Sequence, residues 1–309
     1  MKANIKITII CSSVCLLSSC QPDFLDIKRD KKQVIPSTLE DYQAIMDNMK
    51  MNSSTIYSAG ELGADDFFVS DEQWNLAFYI WEKNVYIWAH DIFEGEQGAI
   101  WDTAYEKILY ANLTIEGLDK LNASSNDRTT FSRVQGTALF FRAYTYFQLA
   151  QMFCKVYNPA YAETALGLPL KISADINEKV SRSTLAETYR FIIKDLMQAL
   201  DLLSSLDEKY KNRPSKNVTL ALLARIHLQM GNYEEAQTYA EGALAMNSNL
   251  LDYRNVTPAT FYAFPLYGRD NPEVLLIDQM YSCSLLASSR LQVNPLLLQR
   301  YHEGDLRRK

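Results

Sequence analysis

The sequence predicts an all-α chain, an α-solenoid of paired helices broken by irregular insertions. Apolar residues recur at helical spacing over several long stretches. Helix-start signals of the form Ser/Thr-x-x-Glu stand just before two of them, at Ser37 to Glu40 and at Thr184 to Glu187. Glycine is scarce, 11 in 309 residues, which argues against a turn-rich β fold and against a glycine-rich phosphate loop.

The elements follow in order. Ser37 as N-cap with Glu40 at N3 opens a first helix carrying Leu39, Tyr42, Met46 and Met49 at helical spacing. Residues 58–95 are less regular and hold Asp65-Asp66-Phe67-Phe68, Trp74, Tyr79, Trp81, Tyr86 and Trp88. Helical period returns at Trp101, Ala104, Tyr105, Ile108, Ala111, Ile115 and Leu118, and is expected to fade at the loop formers of residues 122–127. A stronger helix runs from about Thr130 to Phe153; apolar and aromatic residues cover more than half its circumference, so it is expected between neighbours. Residues 155–182, with Pro159, Gly167 and Pro169, read as a long irregular connection. Thr184 and Glu187 then start a helix bearing Leu185, Tyr189, Ile192, Ile193, Leu196, Leu200 and Leu203. Val218–Met230 and Tyr233–Met246 form a helix pair broken at Gly231-Asn232. Past Leu250 the chain is broken by Pro258, Pro265, Gly268 and Pro272, and Val274–Ile277 reads equally as a short strand or a buried turn of helix.

The 218–246 pair, with Ala224, Gly231-Asn232-Tyr233, Ala236, Ala240 and Ala243, resembles a tetratricopeptide repeat. Small residues at facing positions let two helices approach closely, and Gly-Asn supplies the turn. The 130–153 and 184–203 helices are expected to form a second such pair, with 155–182 inserted between them.

Composition bounds the function. Hydrophobic residues make up 48% and charged residues 22%, enough apolar material for a core. Lys+Arg number 31 against Asp+Glu 37, a net charge of −6, which is a poor footprint for nucleic acid. The unusual feature is aromatic: 19 Tyr, 13 Phe and 4 Trp, or 12% of the chain.

The first nineteen residues read as an address. Lys2 and Lys6 form a positive start, and Ile7–Leu17 is apolar. Eleven residues at about 1.5 Å each fall short of a hydrocarbon core about 30 Å thick, so this is a signal segment rather than a spanning helix. Leu17-Ser18-Ser19-Cys20 resembles the bacterial lipobox, which implies cleavage before Cys20 and lipidation of that residue. An ordinary secretory signal that happens to hold a Cys is the alternative. Removing 1–19 takes away two lysines and no acids, which moves the net charge from −6 to −8. Residues 20–36, mixed in charge, read as a lipid-anchored tether, and 37–309 as the helical domain. Of the cysteines beyond the anchor, Cys154 and Cys283 read as small buried hydrophobes.

Catalytic motifs are missing. The sequence holds no His-Glu-x-x-His, Cys-x-x-Cys, Gly-Lys-Ser/Thr or Gly-x-Ser-x-Gly. His227 reads as a packed residue of the repeat pair. His90-Asp91 with Glu94 and Glu96 lacks an alternating cation-ligand loop, and Asp65-Asp66 reads as a loop or helix terminus. No enzyme activity, metal or cofactor is indicated.

Several segments together resemble the SusD/RagB-like outer-membrane lipoproteins of Bacteroidetes. These are Cys20 with Asp23-Phe24-Leu25-Asp26, Pro36 with Leu39-Glu40-Asp41-Tyr42, and Trp101-Asp102-x-x-Tyr105-x-x-Ile108-x-x-Ala111-Asn112. The most specific is Gly136-x-Ala138-x-Phe140-x-Arg142-Ala143-x-x-Tyr146-Phe147-x-Leu149, in which Thr137 stands near a position where the family usually has Glu. Gly167-Leu168-Pro169-Leu170, Arg182-Ser183-Thr184 with Glu187-x-Tyr189, Asn271-Pro272-Glu273-Val274-Leu275 and Tyr301-x-x-x-Asp305-x-Arg307 continue the match. The resemblance implies a tetratricopeptide-repeat-like α-solenoid whose C-terminal region is largely missing here. It also implies a non-catalytic lipoprotein, facing the cell exterior, that binds oligosaccharides and delivers them to a SusC-like TonB-dependent outer-membrane transporter. A peptide- or protein-binding lipoprotein of the same fold, or a truncated scaffold without function, is the alternative.

Sugar sites use flat aromatic rings against apolar C–H faces, with polar groups on the hydroxyls. Tyr79-Ile80-Trp81 and Tyr86-Ile87-Trp88 repeat an aromatic-Ile-Trp unit in an irregular segment. Aromatic rings also fill cores, so packing and ligand stacking are both open for Trp74, Trp81, Tyr86 and Trp88. Trp81, Tyr86 and Trp88 are the candidate ligand-binding residues.

Overall fold

A computed structural model describes residues 35–96, 98–121, 127–205, 208–256, 264, 270–280 and 283–305. The chain divides into two units, Met1–Pro36 and Ser37–Lys309, and the fold below is that of the second. Cys20 and the segment before it lie outside the described residues, as does the loop expected over 122–126.

The unit is helical. Five longer helices carry it: α5 (Ala99–Lys120), α6 (Arg128–Phe153), α7 (Leu185–Leu202), α8 (Lys216–Met230) and α9 (Tyr233–Met246). Each packs on the next in that order, which is the stacking of a solenoid. Before them come α1 (Leu39–Met46), α2 (Thr55–Leu62), α3 (Asp71–Asn75) and α4 (Ile80–Tyr86), and near the end lies α10 (Pro295–Gln299).

α6 is the centre. Every residue from Gly136 to Ala150 is buried, so the helix is covered on all sides, as its near-continuous apolar surface predicts. α5 and α7 both pack against it, α5 burying Ala104, Ile108 and Ala111 and α7 burying Leu185, Tyr189, Ile192 and Leu196. α1 crosses both α5 and α6. At that crossing a Cβ on Gly117 would sit 2.1 Å from the Tyr42 hydroxyl, so only glycine lets α1 approach α5 this closely.

A charged pair is buried inside this stack. Arg142 of α6 donates to both oxygens of Asp195 on α7, at 2.7 and 3.0 Å, and to Asn112 Oδ1 of α5 at 2.8 Å. Asn112 in turn donates to the carbonyls of Lys171 and Ser173. The guanidinium therefore joins three helices and, through Asn112, the inserted connection. Burial raises the Asp195 pKa, and Arg142 opposes that shift.

The capping box at Thr184 and Glu187 forms as expected. At the first helix the cap lies one residue later than the expected Ser37–Glu40 box. The N-cap is Thr38 and the N3 partner Asp41, whose Oδ2 accepts from the backbone of both Ser37 and Thr38. Two overlapping Ser/Thr-x-x-acid patterns occur here, and the shorter Asp side chain takes both N–H groups.

Among the described residues three short strand pairs tie segments together, two of them far apart in sequence. β1 (Ser53–Ser54) pairs in parallel with β5 (Gln279–Met280), and β2 (Phe67–Phe68) antiparallel with β6 (Gln292–Val293). β3 (Leu166–Pro169) and β4 (Arg182–Thr184) close the inserted connection, which is less irregular than the sequence implied. Val274–Ile277 forms neither a strand nor a helical turn; Ile277 N–H donates to the Lys211 carbonyl at 2.8 Å and strand pairing starts at Gln279. Cys154 is half-buried and Cys283 buried, both as free thiols. Burial pushes the Cys283 thiol up to about 11. No helix among the described residues is long and apolar enough to cross a membrane.

Candidate functional site

A groove of about 480 Å³ opens beside the central helix, within the size range of small-molecule sites. One wall is α2, with Tyr57 and Gly60, and the turn after it, with Gly63. The opposite wall is α6, with Phe147, Gln148 and Gln151. Trp88 stands at the edge. At Gly60 nothing lies within 4 Å of an added Cβ, so at that position the wall is bare backbone facing open space.

The segment expected to be irregular, 58–95, is built from short helices and tight turns. α4 ends in the hydrogen-bond pattern of a Schellman cap: Trp88 N–H donates to Val85 O at 3.1 Å and Ala89 N–H to Asn84 O at 2.8 Å. That cap places its penultimate residue in the left-handed region, where glycine is the usual occupant. α8 ends in the same way, with Gly231 at φ +80° and Asn232 N–H donating to His227 O. At α4 the left-handed residue is Trp88, at φ +54°. For an L residue this conformation costs about 1–2 kcal/mol. The chain nevertheless carries a tryptophan there, and the residue is 80% exposed.

Local bonds fix that ring. Trp88 Nε1 donates to the Gly63 carbonyl at 3.0 Å, which holds the indole over the end of α2. Asn84, buried under the turn, donates to the carbonyls of Asp91 and Ile92 and to Glu94 Oε1, pinning the loop that follows. Asp91 is used within that loop, its Oδ1 accepting from the backbone N–H groups of Phe93 and Glu94.

The three candidate aromatics therefore divide. Trp81 is 8% exposed and belongs to the core, stacked against Tyr79 with centroids 6.4 Å apart. Tyr86 is half-buried, and its hydroxyl accepts from Val69 N–H at 2.9 Å, fixing the loop before α3. Only Trp88 of the three reaches the groove. Trp74 packs beneath the Lys83 ammonium and donates from Nε1 to the Lys83 carbonyl. The sequence reading missed Phe78, 78% exposed and edge-on to Tyr79 at 4.7 Å, and it missed Tyr57 and Gln148 on the groove walls. No short-range pattern marks the last two as lining residues, because the groove forms only when α2 folds against α6.

Below α4, Glu82 is fully buried and accepts from both Ser284 N–H, at 2.8 Å, and the Ser284 hydroxyl. This bond anchors α4 to the late segment. His227 is buried, its Nδ1 3.3 Å from Asn232 Nδ2 and its ring against Tyr239, as a packed residue of the repeat pair. Among the described residues no group of three His, Cys, Asp or Glu side chains is placed to hold a metal ion.

Comparison with known proteins gives a consistent result. Residues 23–228 match the SusD-like family model described as starch-binding and associating with the outer membrane. A SusD-like protein, P2, of Formosa agariphila is 30% identical over 148 residues, covering 48% of this chain and 27% of that protein. A putative sugar binding protein from Bacteroides vulgatus superposes with a TM-score of 0.56 at 26% identity, over 69% of this chain and 47% of that one. A SusD-like carbohydrate binding protein from the same species shares the fold at 19% identity, with a TM-score of 0.64 over 88% of this chain and 60% of that one. The chain thus spans about a quarter of the curated relative and about half of the solved structures.

Proposed function

The chain belongs to the SusD-like family, and from that premise we propose that it binds oligosaccharides in the groove edged by Trp88. We further propose that it hands them to a SusC-like TonB-dependent transporter in the outer membrane. Trp88 carries the ligand face. Trp81 and Tyr86 hold the segment that presents it. The protein makes and breaks no bond itself; it is held at the membrane by lipid on Cys20 and faces the cell exterior.

One observation supports this reading above the others. Trp88 occupies a left-handed cap position that glycine would fill without strain, and its ring is exposed beside a groove. Strained backbone of this kind clusters at ligand sites, and here it presents an exposed aromatic beside a groove. An indole face of this kind covers the apolar side of a pyranose ring, while Tyr57, Gln148, Gln151 and Arg225 supply polar groups around it.

Titration of the full chain with maltoheptaose, laminarihexaose and xylohexaose tests this directly. Covering about 80 Å² of ring face is worth about 2 kcal/mol, or about thirtyfold in Kd. Trp88→Gly is expected to weaken the best ligand by that order. Unchanged affinity in a folded Trp88→Gly variant refutes the assignment.

A further inference from the structure

A chain of hydrogen bonds runs beneath the groove floor. Tyr57 and Gln148 line the groove, and both are bonded to residues outside its lining, Tyr144 and Asp278. Tyr144 Oη is 2.9 Å from Tyr57 Oη and 2.9 Å from Asp278 Oδ2. Gln148 Nε2 donates to the same carboxylate oxygen at 3.4 Å. Asp278 comes from far along the chain and is delivered here by the β1–β5 pairing, which sets Ser53 opposite Gln279.

A phenol has one proton to donate. Tyr144 stands between two oxygens and donates to one of them. The carboxylate is the stronger acceptor, since charge-assisted bonds are about twice as strong as neutral ones. Burial and the neighbouring Asp278 charge push the Tyr144 pKa far up, so its proton stays in place. Burial raises the Asp278 pKa as well, while the charge of Lys107, itself only 5% exposed, and the bonds from Tyr144 and Gln148 oppose that. With the Tyr144 proton turned toward Asp278, the remaining contact is made by the Tyr57 proton pointing inward at Tyr144. Tyr57 is left with only lone pairs to offer the groove.

We propose that Asp278, which does not itself line the groove, sets its floor as a hydrogen-bond acceptor, so that the group bound against Tyr57 is a free sugar hydroxyl and not an ether oxygen. Asp278 acts through Tyr144 and is a positioning residue. The ligand half of this inference rests on the oligosaccharide reading of the groove; the proton order does not.

Two measurements on the full chain separate them. The first needs no ligand. With tyrosine labelled at Cζ by carbon-13, the Tyr57 resonance is assigned by its loss in Tyr57→Phe. It is expected to move in both Tyr144→Phe and Asp278→Asn, each shown to be folded by urea melting. A Tyr57 resonance unmoved in both variants overturns the proposal. The second uses maltotriose and its monodeoxyfluoro analogues, in which fluorine replaces one hydroxyl and removes a donor with little change of size. In the wild type one analogue is expected to bind about fivefold more weakly than the parent, the loss of one hydrogen bond, and Tyr144→Phe is expected to remove most of that gap. A gap that persists in Tyr144→Phe, or a wild type indifferent to every analogue, overturns the specificity claim. Maltotriose binding that survives Trp88→Gly unchanged instead sinks the groove assignment, and the resonance measurement then decides the proton order alone.

Discussion

Replacing Arg142 by Met removes the two bonds to Asp195 and the one to Asn112 while keeping most of the side-chain volume. The pair is deeply buried, with side-chain exposures of 9% for Arg142 and 3% for Asp195. Breaking such a pair from one side strands a desolvated charge, and the cost is about 3–5 kcal/mol. Asp195→Leu is expected to cost a similar amount by stranding the guanidinium. The double variant Arg142→Met/Asp195→Leu strands neither. Its cost is expected to fall short of the sum of the singles by about 2–3 kcal/mol. Urea unfolding followed by circular dichroism measures all three against wild type at neutral pH. Because Arg142 also orients Asn112, which holds the Lys171 and Ser173 carbonyls, Arg142→Met is further expected to speed proteolysis within residues 171–181. Single variants that cost less than about 1 kcal/mol, or a double variant equal to the sum, refute the claim that this pair locks three helices together.

Other consequences follow from particular positions. Trp88→Gly is expected to be more stable than Trp88→Ala by about 1 kcal/mol in thermal or urea melts, because alanine retains the left-handed strain and glycine does not. Gly167→Ala is expected to destabilise by about 1–3 kcal/mol through overpacking. Its Cβ would lie 2.2 Å from Thr188 Oγ1 and 2.3 Å from the Thr184 carbonyl, where the β3–β4 pair meets α7. Burial lowers the His227 pKa in the folded chain, so the unfolded chain binds the proton first as pH falls below about 6.5. Its contribution to stability is present above that pH and lost below it. His227→Gln is expected to flatten the acid-side fall measured by urea midpoints, and an unchanged slope contradicts the burial argument.

Legibility in the sequence tracked the range of the interactions. α6, α7 and the α8–α9 pair were readable because a buried helix stripe and a Thr184–Glu187 box are written within a few residues of each other. The Thr38 cap was blurred by the overlap of two such boxes. Within 58–95 the helices are too short for a period to emerge, so Trp81 and Trp88, seven residues apart, looked alike. One lies at the start of α4 against the core and the other in the cap beyond its end, and only the backbone distinguishes them. The resemblance pointed to Arg142 as a motif residue, but its partner Asp195 lies 53 positions away on the next helix. Asp278 and Tyr57 were beyond reach for the same reason, since their meeting depends on a strand pair that joins residue 53 to residue 279.

The proposed function rests on the ring of Trp88 as a sugar platform. A crystal structure of the full chain with the tightest-binding oligosaccharide of the panel tests it most directly. A pyranose ring is expected to lie flat against the Trp88 indole, inside the groove between α2 and α6, with a sugar hydroxyl at Tyr57. A sugar seated elsewhere, such as on the exposed Phe78–Tyr79 pair, with the Trp88 face bare, contradicts it.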